Sequence, residues 1–420
     1  MNNLKFIDGI GFIPNDWSVK RADELCSKIT KGTTPPKEDI VNNSNIPFLR
    51  VNNLTFDGLL DVNSSFIFVS EVAHRSVLSR SIAYKNDILM NIVGPPLGKM
   101  ALLNDDFDEY NLNQAIVIYR VSSIDVARLF FFFFLKGVIA QNWLQSHSKK
   151  TSGQQNLTIE VCKNLPVPIP PLPEQIKIAS ILSTWDNAIN TVQKLLANSQ
   201  QQKKALMQQL LTGKKRFAGF EGEWEKVKLK SLGRCLTGLT YSPDDVVENG
   251  ILVLRSSNVQ SGKLSFADNV YVNKVIEEKN KTRYGDILVC IRNGSRNLIG
   301  KTAFIKEEGC GQTHGAFMTL FRGNHSEYVF QLFQSHAYYK QVSQNLGATI
   351  NSINTSDLHD FVFFMPSNKL EIEKIAAVLT TADQEIDNLR AQLNHLKQEK
   401  KALMQQLLTG KRRVKIEEAA

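Results

Sequence analysis

The chain is poor in the residues that build most catalytic and metal centres. Its five cysteines, Cys26, Cys162, Cys235, Cys290 and Cys310, are scattered over 420 residues. No Cys-x-x-Cys pair and no Cys/His cluster has zinc spacing. An odd, unpatterned set points to reduced thiols in a cytoplasmic protein. Long apolar runs are also missing. The most apolar stretch, 129–135, with five consecutive Phe, falls far short of the about 20 residues needed to span a bilayer. It reads as the core of a buried helix, so no membrane partner is expected. The opening MNNLKFIDGIG carries Lys5 and Asp8 and lacks the apolar core of a signal peptide.

Catalytic signatures fail in turn. GSRNLIGKT, at 294–302, looks like a phosphate-binding loop, but five residues separate Gly294 from Gly300 where the motif requires about four. The corresponding GPPLGKM, at 94–100, has three. A nuclease would pair Asp244 with Glu277, Glu278 and Lys279, but these last lie in a solvated charge run without strand character. A base methyltransferase needs a glycine-rich cofactor loop. Asp8–Gly11 lies too near the start to follow a strand of a cofactor domain, and no Asn-Pro-Pro-aromatic tetrapeptide occurs. His74, His147, His314 and His359 have no spacing to a nucleophile. The chain reads as non-catalytic.

A duplication is present instead. KKALMQQLLTGK occurs at 203–214 and 400–411, identical at all twelve positions. The match extends without a gap, so Glu174 faces Glu371, Asp186 faces Asp383 and Arg216 faces Arg413. Both copies carry an apolar seam stepping by three and four, the pattern of a coiled coil. In the first it runs through Ile178, Leu182, Trp185, Ile189, Val192, Leu196, Leu206 and Leu210. In the second it runs through Ile375, Leu379, Ile386, Leu389, Leu393, Leu396, Leu403 and Leu407. Gly213 and Gly410 sit where C-terminal caps belong. Each helix would be roughly 60 Å long. The two seams are expected to pack on each other antiparallel; the alternative is two surface helices on separate domains. Lys203 and Lys400 fall on the seam, fixing register at a cost in stability. Replacing both with Leu is then expected to raise the melting temperature. Lys214–Arg216 and Lys411–Arg413 would complement helix C-terminal dipoles or touch phosphates.

The blocks before the helices repeat more loosely. Trp17 with Leu25 and Trp224 with Leu232 open them. PFLRVNN and LVLRSSN, the Asp87 and Asp286 Asp-Ile-Leu runs, Gly98–Lys99 and Gly300–Lys301, and apolar strands ending at Arg120 and Arg322 follow in order. Short β-branched and aromatic runs between turn residues give an α+β class with β-rich blocks. PVPIPPLPEQ reads as non-helical. The bounds are 1–171, a helix at 172–213, 214–368, a helix at 369–412, and a tail at 413–420.

A net charge of +9 favours a polyanionic partner. Residues suited to phosphates and base edges crowd the turns. In the first block these are Arg50, Asn52, Asn53, Asn91, Lys99, Asn113, Gln114, Lys149, Lys150 and Gln154. In the second they are Arg255, Asn258, Arg292, Asn293, Arg296, Lys301, Gln312, Thr313, His314 and Asn351. For any one of them, a solvated turn residue is the competing reading.

Two divergent β-rich blocks, each followed by LMQQLLTGKxR, resemble the specificity (S) subunit of type I restriction–modification systems. PLPEQIKIASIL at 171–182, KKALMQQLLTGKKRF at 203–217, its second copy from Lys400 and the two W-x7-L openings carry the likeness. PSNKLEIEKI departs from the Pro-rich helix entry of the first copy. The resemblance implies two target recognition domains, each reading half of a split, asymmetric double-stranded DNA site. It implies an antiparallel coiled coil of pseudo-two-fold symmetry that spaces them. It also implies docking of two methyltransferase and two restriction (motor–nuclease) subunits. S-adenosylmethionine, ATP and magnesium would then belong to those partners, with no cofactor or metal held by this chain. The competing readings are a stand-alone DNA-binding or scaffold protein, and a methyltransferase or nuclease in its own right.

Overall fold

The structure is a computed structural model that describes residues 4–61, 64–151, 153–346 and 351–416. It divides into two units, Met1–Thr191 with Leu393–Ala420, and Val192–Gln392. Each long helix therefore contributes one half to each unit. The helices run Leu172–Leu210 and Lys369–Leu407, shorter at their ends than the sequence suggests. Gly213 and Gly410 both adopt φ +69, a left-handed conformation that unwinds the last turn and that glycine adopts without strain. A Cβ on Gly410 would also lie 2.4 Å from the Pro14 ring. Pro173 lies inside the first helix's opening turn, so PEQ is helical after all. Proline is tolerated there because those N–H groups have no intrahelical acceptor.

In the first unit, a four-stranded antiparallel sheet runs Met100–Leu102, Ile88–Asn91, Ile116–Val121, Cys26–Lys31. In the second unit, Thr302–Phe304, Ile287–Cys290, Met318–Gly323 and Gly233–Thr237 take the same order. A second sheet in each contains one parallel pair, Pro47–Leu49 with Asn111–Leu112, and Ile251–Leu254 with Thr313–His314. The repeated Asp-Ile-Leu and strand-end Arg motifs explain one another here. Asp87 receives two hydrogen bonds from Arg120, at 2.9 and 2.7 Å, and Asp286 receives two from Arg322, at 2.8 and 2.7 Å. Each aspartate also accepts the N–H that closes its own turn, from Tyr84 or Arg283. The carboxylates push both guanidinium pKa values up.

Strands Ser18–Arg21 and Pro166–Ile169 pair at the entry to the first helix, as Trp224–Lys228 and Val362–Pro366 do at the second. The first unit's helices Arg128–Lys136 and Val138–Ser146 match Ser326–Phe333 and His336–Asn345 of the second. All five phenylalanines of 130–134 are buried; each fully buried side chain contributes about 2 kcal/mol. They share a core with Ile178, Leu182 and Leu407. In the second unit Leu210, Ile375 and Leu379 join the corresponding core.

Of the remaining seam residues, Ile189, Val192 and Ile386 are buried. Trp185, Leu196, Leu206, Leu389, Leu393, Leu396 and Leu403 are half-buried. Within each unit the helix halves run antiparallel. Glu174 meets Arg413 and Asp186 meets Lys400 in the first; Glu371 meets Arg216 and Asp383 meets Lys203 in the second. Arg216 and Arg413 are thus ion-paired rather than simple helix caps: each grips a fully buried glutamate through two nitrogens. The seam lysines likewise have partners. Lys203 Nζ lies 2.5 Å from Asp383, whose second oxygen accepts from Gln331 at 2.8 Å. Lys400 pairs with Asp186 and sits over the Phe133 ring. Removing either lysine leaves an aspartate without its ion pair, which reverses the expected sign of the Leu replacement.

Candidate nucleic-acid interface

Backbone hydrogen bonds bring the same loops together at one end of each unit. In the first unit, Ile92 N–H donates to Ala115 O and Leu157 N–H donates to Ile92 O, both at 2.8 Å. In the second, Ile291 N–H donates to Phe317 O at 3.0 Å and Ile353 N–H donates to Ile291 O at 2.8 Å. A fourth turn joins through Asn113 N–H to Leu49 O and through Gly315 N–H to Leu254 O, both 3.0 Å. These turns contain most of the polar residues singled out in the sequence.

Their side chains divide sharply by burial. Asn52, Gln114, Lys149, Gln154, Arg292, Arg296 and Asn351 are exposed. Arg50, Lys99, Asn113, Arg255, Asn293 and Lys301 are half-buried. Five others turn inward and are framework. Asn53 and Asn258 accept the Arg50 and Arg255 N–H groups at 2.8 and 2.9 Å, closing matching 3-10 turns, Val51–Asn53 and Ser256–Asn258. Asn91 accepts from Lys99 N–H at 2.8 Å and donates to the Val93 and Pro96 carbonyls. Thr313 is buried in its strand, and His314 Nε2 lies 3.0 Å from Leu236 O. Burial lowers the His314 pKa. Gln312, half-buried, accepts the Leu252 N–H at 3.0 Å. The side chain of Lys150 lies outside the described residues.

Several half-buried members are held in place. Arg255 pairs with Asp268 at 3.0 Å, Asn293 donates to Ser256 Oγ at 2.9 Å, and the Lys99 ammonium lies 5.9 Å from the Phe56 ring centroid. Arg296, though exposed, donates to Leu346 O at 3.1 Å, and Asn351 donates to Gly294 O at 3.3 Å. Among the described residues, Arg50 Nε and Arg255 Nε are buried without a hydrogen-bond partner. Buried N–H groups left so cost about 1–3 kcal/mol each. Sequence reading missed Phe317, assigned to the apolar strand that follows. It is exposed, and the Arg292 guanidinium lies over its ring at 5.8 Å. Arginine stacks on aromatic faces and carries a fork of donors suited to a phosphate or a guanine edge. No signal in the sequence marks that Phe as outward-facing. Among the described residues, no group of three or more His, Cys, Asp or Glu could hold a metal ion, and no helix is long and apolar enough to cross a membrane.

A family profile for the type I restriction modification DNA specificity domain matches residues 14–198 and 221–398. The chain belongs to that family. It is a specificity subunit of a type I restriction–modification system. It is 29% identical to the type I restriction enzyme MjaVIII specificity subunit of Methanocaldococcus jannaschii, over 98% of this chain and 96% of that one. It is 25% identical to the putative MjaX specificity subunit of the same organism, over 97% and 96%. Among solved structures, the S subunit from M. genitalium superposes with a TM-score of 0.62 at 15% identity, covering 97% of this chain and 98% of that one. The specificity subunit thus carries its family's profile twice, once before and through most of each long helix.

Proposed function

We propose that the specificity subunit reads a bipartite, asymmetric double-stranded DNA site, one half per unit, and performs no catalysis itself. The observation that carries this is the doubled loop convergence. The same backbone bonds assemble it in both units, while the exposed side chains on its rim differ. Arginine, lysine, asparagine and glutamine there suit phosphates and base edges. The long helices form an antiparallel coiled coil with pseudo-two-fold symmetry, supported by ion pairs that recur at repeat-related positions. Two methyltransferase and two restriction subunits dock on it. S-adenosylmethionine, ATP and magnesium are then bound by those partners, in the cytoplasm.

The test is DNA binding by the purified chain, alone and with its modification subunit, using the motif methylated in the host genome. Specific binding that weakens steeply with salt, and methylation only when the modification subunit is added, are the expected results. Methylation by the chain alone, or equal affinity for scrambled DNA, would overturn the reading.

A further inference from the structure

The rim of the second unit carries two exposed side chains that the shared framework does not use. Arg292 N–H donates to Phe317 O at 3.1 Å, so both residues project from one hydrogen-bonded point of the loop convergence. Phe317 is 58% exposed, and the Arg292 guanidinium carbon lies 5.8 Å from its ring centroid. The polar side chains around them are committed. Arg255 pairs with Asp268, Arg296 donates to Leu346 O, and Asn293 donates to Ser256 Oγ. Arg292 makes no ion pair and no side-chain hydrogen bond among the described residues; its contact is the Phe317 ring. The matching bond in the first unit, from Ile92 N–H to Ala115 O, puts Val93 and Ala115 at the corresponding places. Neither brings a charge or an aromatic ring to that rim.

The two side chains ask for different partners at adjacent places. An arginine fork needs two acceptors, and guanine is the base whose major-groove edge offers two, O6 and N7. The amino groups of adenine and cytosine present donors there instead. A phenyl ring forms no such bonds, and the apolar group on that groove edge is the thymine C5-methyl. A phosphate would satisfy Arg292 but leave the ring in water. We propose that the second unit's half-site contains a G·C pair read by Arg292, beside an A·T pair whose thymine methyl packs on Phe317. This rests on the reading that each unit recognises half of the DNA site, and adds base identity to one of the halves.

The test uses the full chain with its modification subunit, first to select a motif from random duplexes and then to bind modified copies of it. The wild type should select a guanine next to a thymine in one half. Replacing that guanine with 7-deazaguanine removes one acceptor and should weaken wild-type binding about tenfold, with no further loss for Arg292→Ala. Replacing the thymine with deoxyuridine removes only the methyl and should weaken wild-type binding about fourfold, with no further loss for Phe317→Ala. Arg292→Gln should move the preference from guanine to adenine, whose N7 acceptor and N6 donor match an amide. A motif with no guanine beside a thymine in either half overturns the proposal and leaves half-site reading standing. So do base changes that cost the same in wild type and variants. Weaker binding by Arg292→Ala with an unchanged motif assigns Arg292 to a phosphate and overturns it too. No selected motif at all overturns both readings. The base replacements act on the wild-type chain, so misfolding of a variant does not shield the proposal.

Discussion

The two units share their framework almost contact for contact and differ at the rim. Asp87–Arg120 and Asp286–Arg322, Asn53 and Asn258, Glu174–Arg413 and Glu371–Arg216 are the same interactions made twice. The loops built on this framework are not the same. The first unit sets a strand pair, Lys149–Thr151 with Gln154–Asn156, against Val93–Gly94. The second places Arg292 on Phe317 at the corresponding edge. Matching backbone hydrogen bonds, such as Ile92 N–H to Ala115 O and Ile291 N–H to Phe317 O, join the loops of each unit, so side chains at the tips can change without loss of the frame. That separation permits two recognition surfaces on one scaffold.

The largest expected effect breaks the shared frame. Asp286→Ala strands Arg322, whose side chain is 16% exposed, and Asp87→Ala strands Arg120, at 27%. Each should cost about 3–5 kcal/mol in urea denaturation, with the Asp286 variant the worse of the two. Equal and small losses would mean that the pairs are not what repeats the fold. Next come the seam lysines. Lys400→Leu leaves Asp186 without its ion pair, while Lys203→Leu leaves Asp383 its bond from Gln331. Thermal melts should show both variants less stable, Lys400→Leu by about 2 kcal/mol and Lys203→Leu by less.

Lys136 sharpens the contrast through pH. Burial is the main cause that lowers its pKa to about 8, with Lys400 adding to the shift and Asp186 and Asp57 opposing it. The unfolded chain then holds a proton that the folded one has released between about pH 8 and the ordinary lysine value. Wild-type stability should therefore rise with pH through that window relative to Lys136→Gln. A flat difference in paired denaturation curves would refute the assignment. The smallest effect separates the two opening tryptophans. Trp17 Nε1 donates to Glu174 at 3.2 Å, whereas Trp224 Nε1 is buried without a partner among the described residues. Trp17→Phe should lose about 1 kcal/mol more than Trp224→Phe in the same assay.

Much of this frame was legible in the sequence. A gapless repeat fixes which residues are equivalent, and three-and-four spacing of apolar residues marks the side of the helix that is covered. The Asp-Ile-Leu runs and strand-end arginines could be aligned between blocks, though their pairing with one another could not, because ion pairs close over long sequence separations. The interface was legible only in outline. An asparagine that closes a 3-10 turn, such as Asn53 or Asn258, is chemically identical to one that reads a base edge. Burial separates them, and burial is set by which loop packs against which. For the same reason Phe317 read as the start of the apolar strand that ends at Arg322. The charged seam positions Lys203 and Lys400 were visible, but their aspartate partners lie on the other helix.

Each unit is proposed to read its own half of the site. The direct test is the bound DNA motif selected from random sequence by the wild type and by Arg292→Ala. The wild type should select two half-motifs with an unselected spacer. The variant should lose about 1–3 kcal/mol of discrimination in one half and none in the other. A single contiguous motif, or equal degradation of both halves, would contradict it.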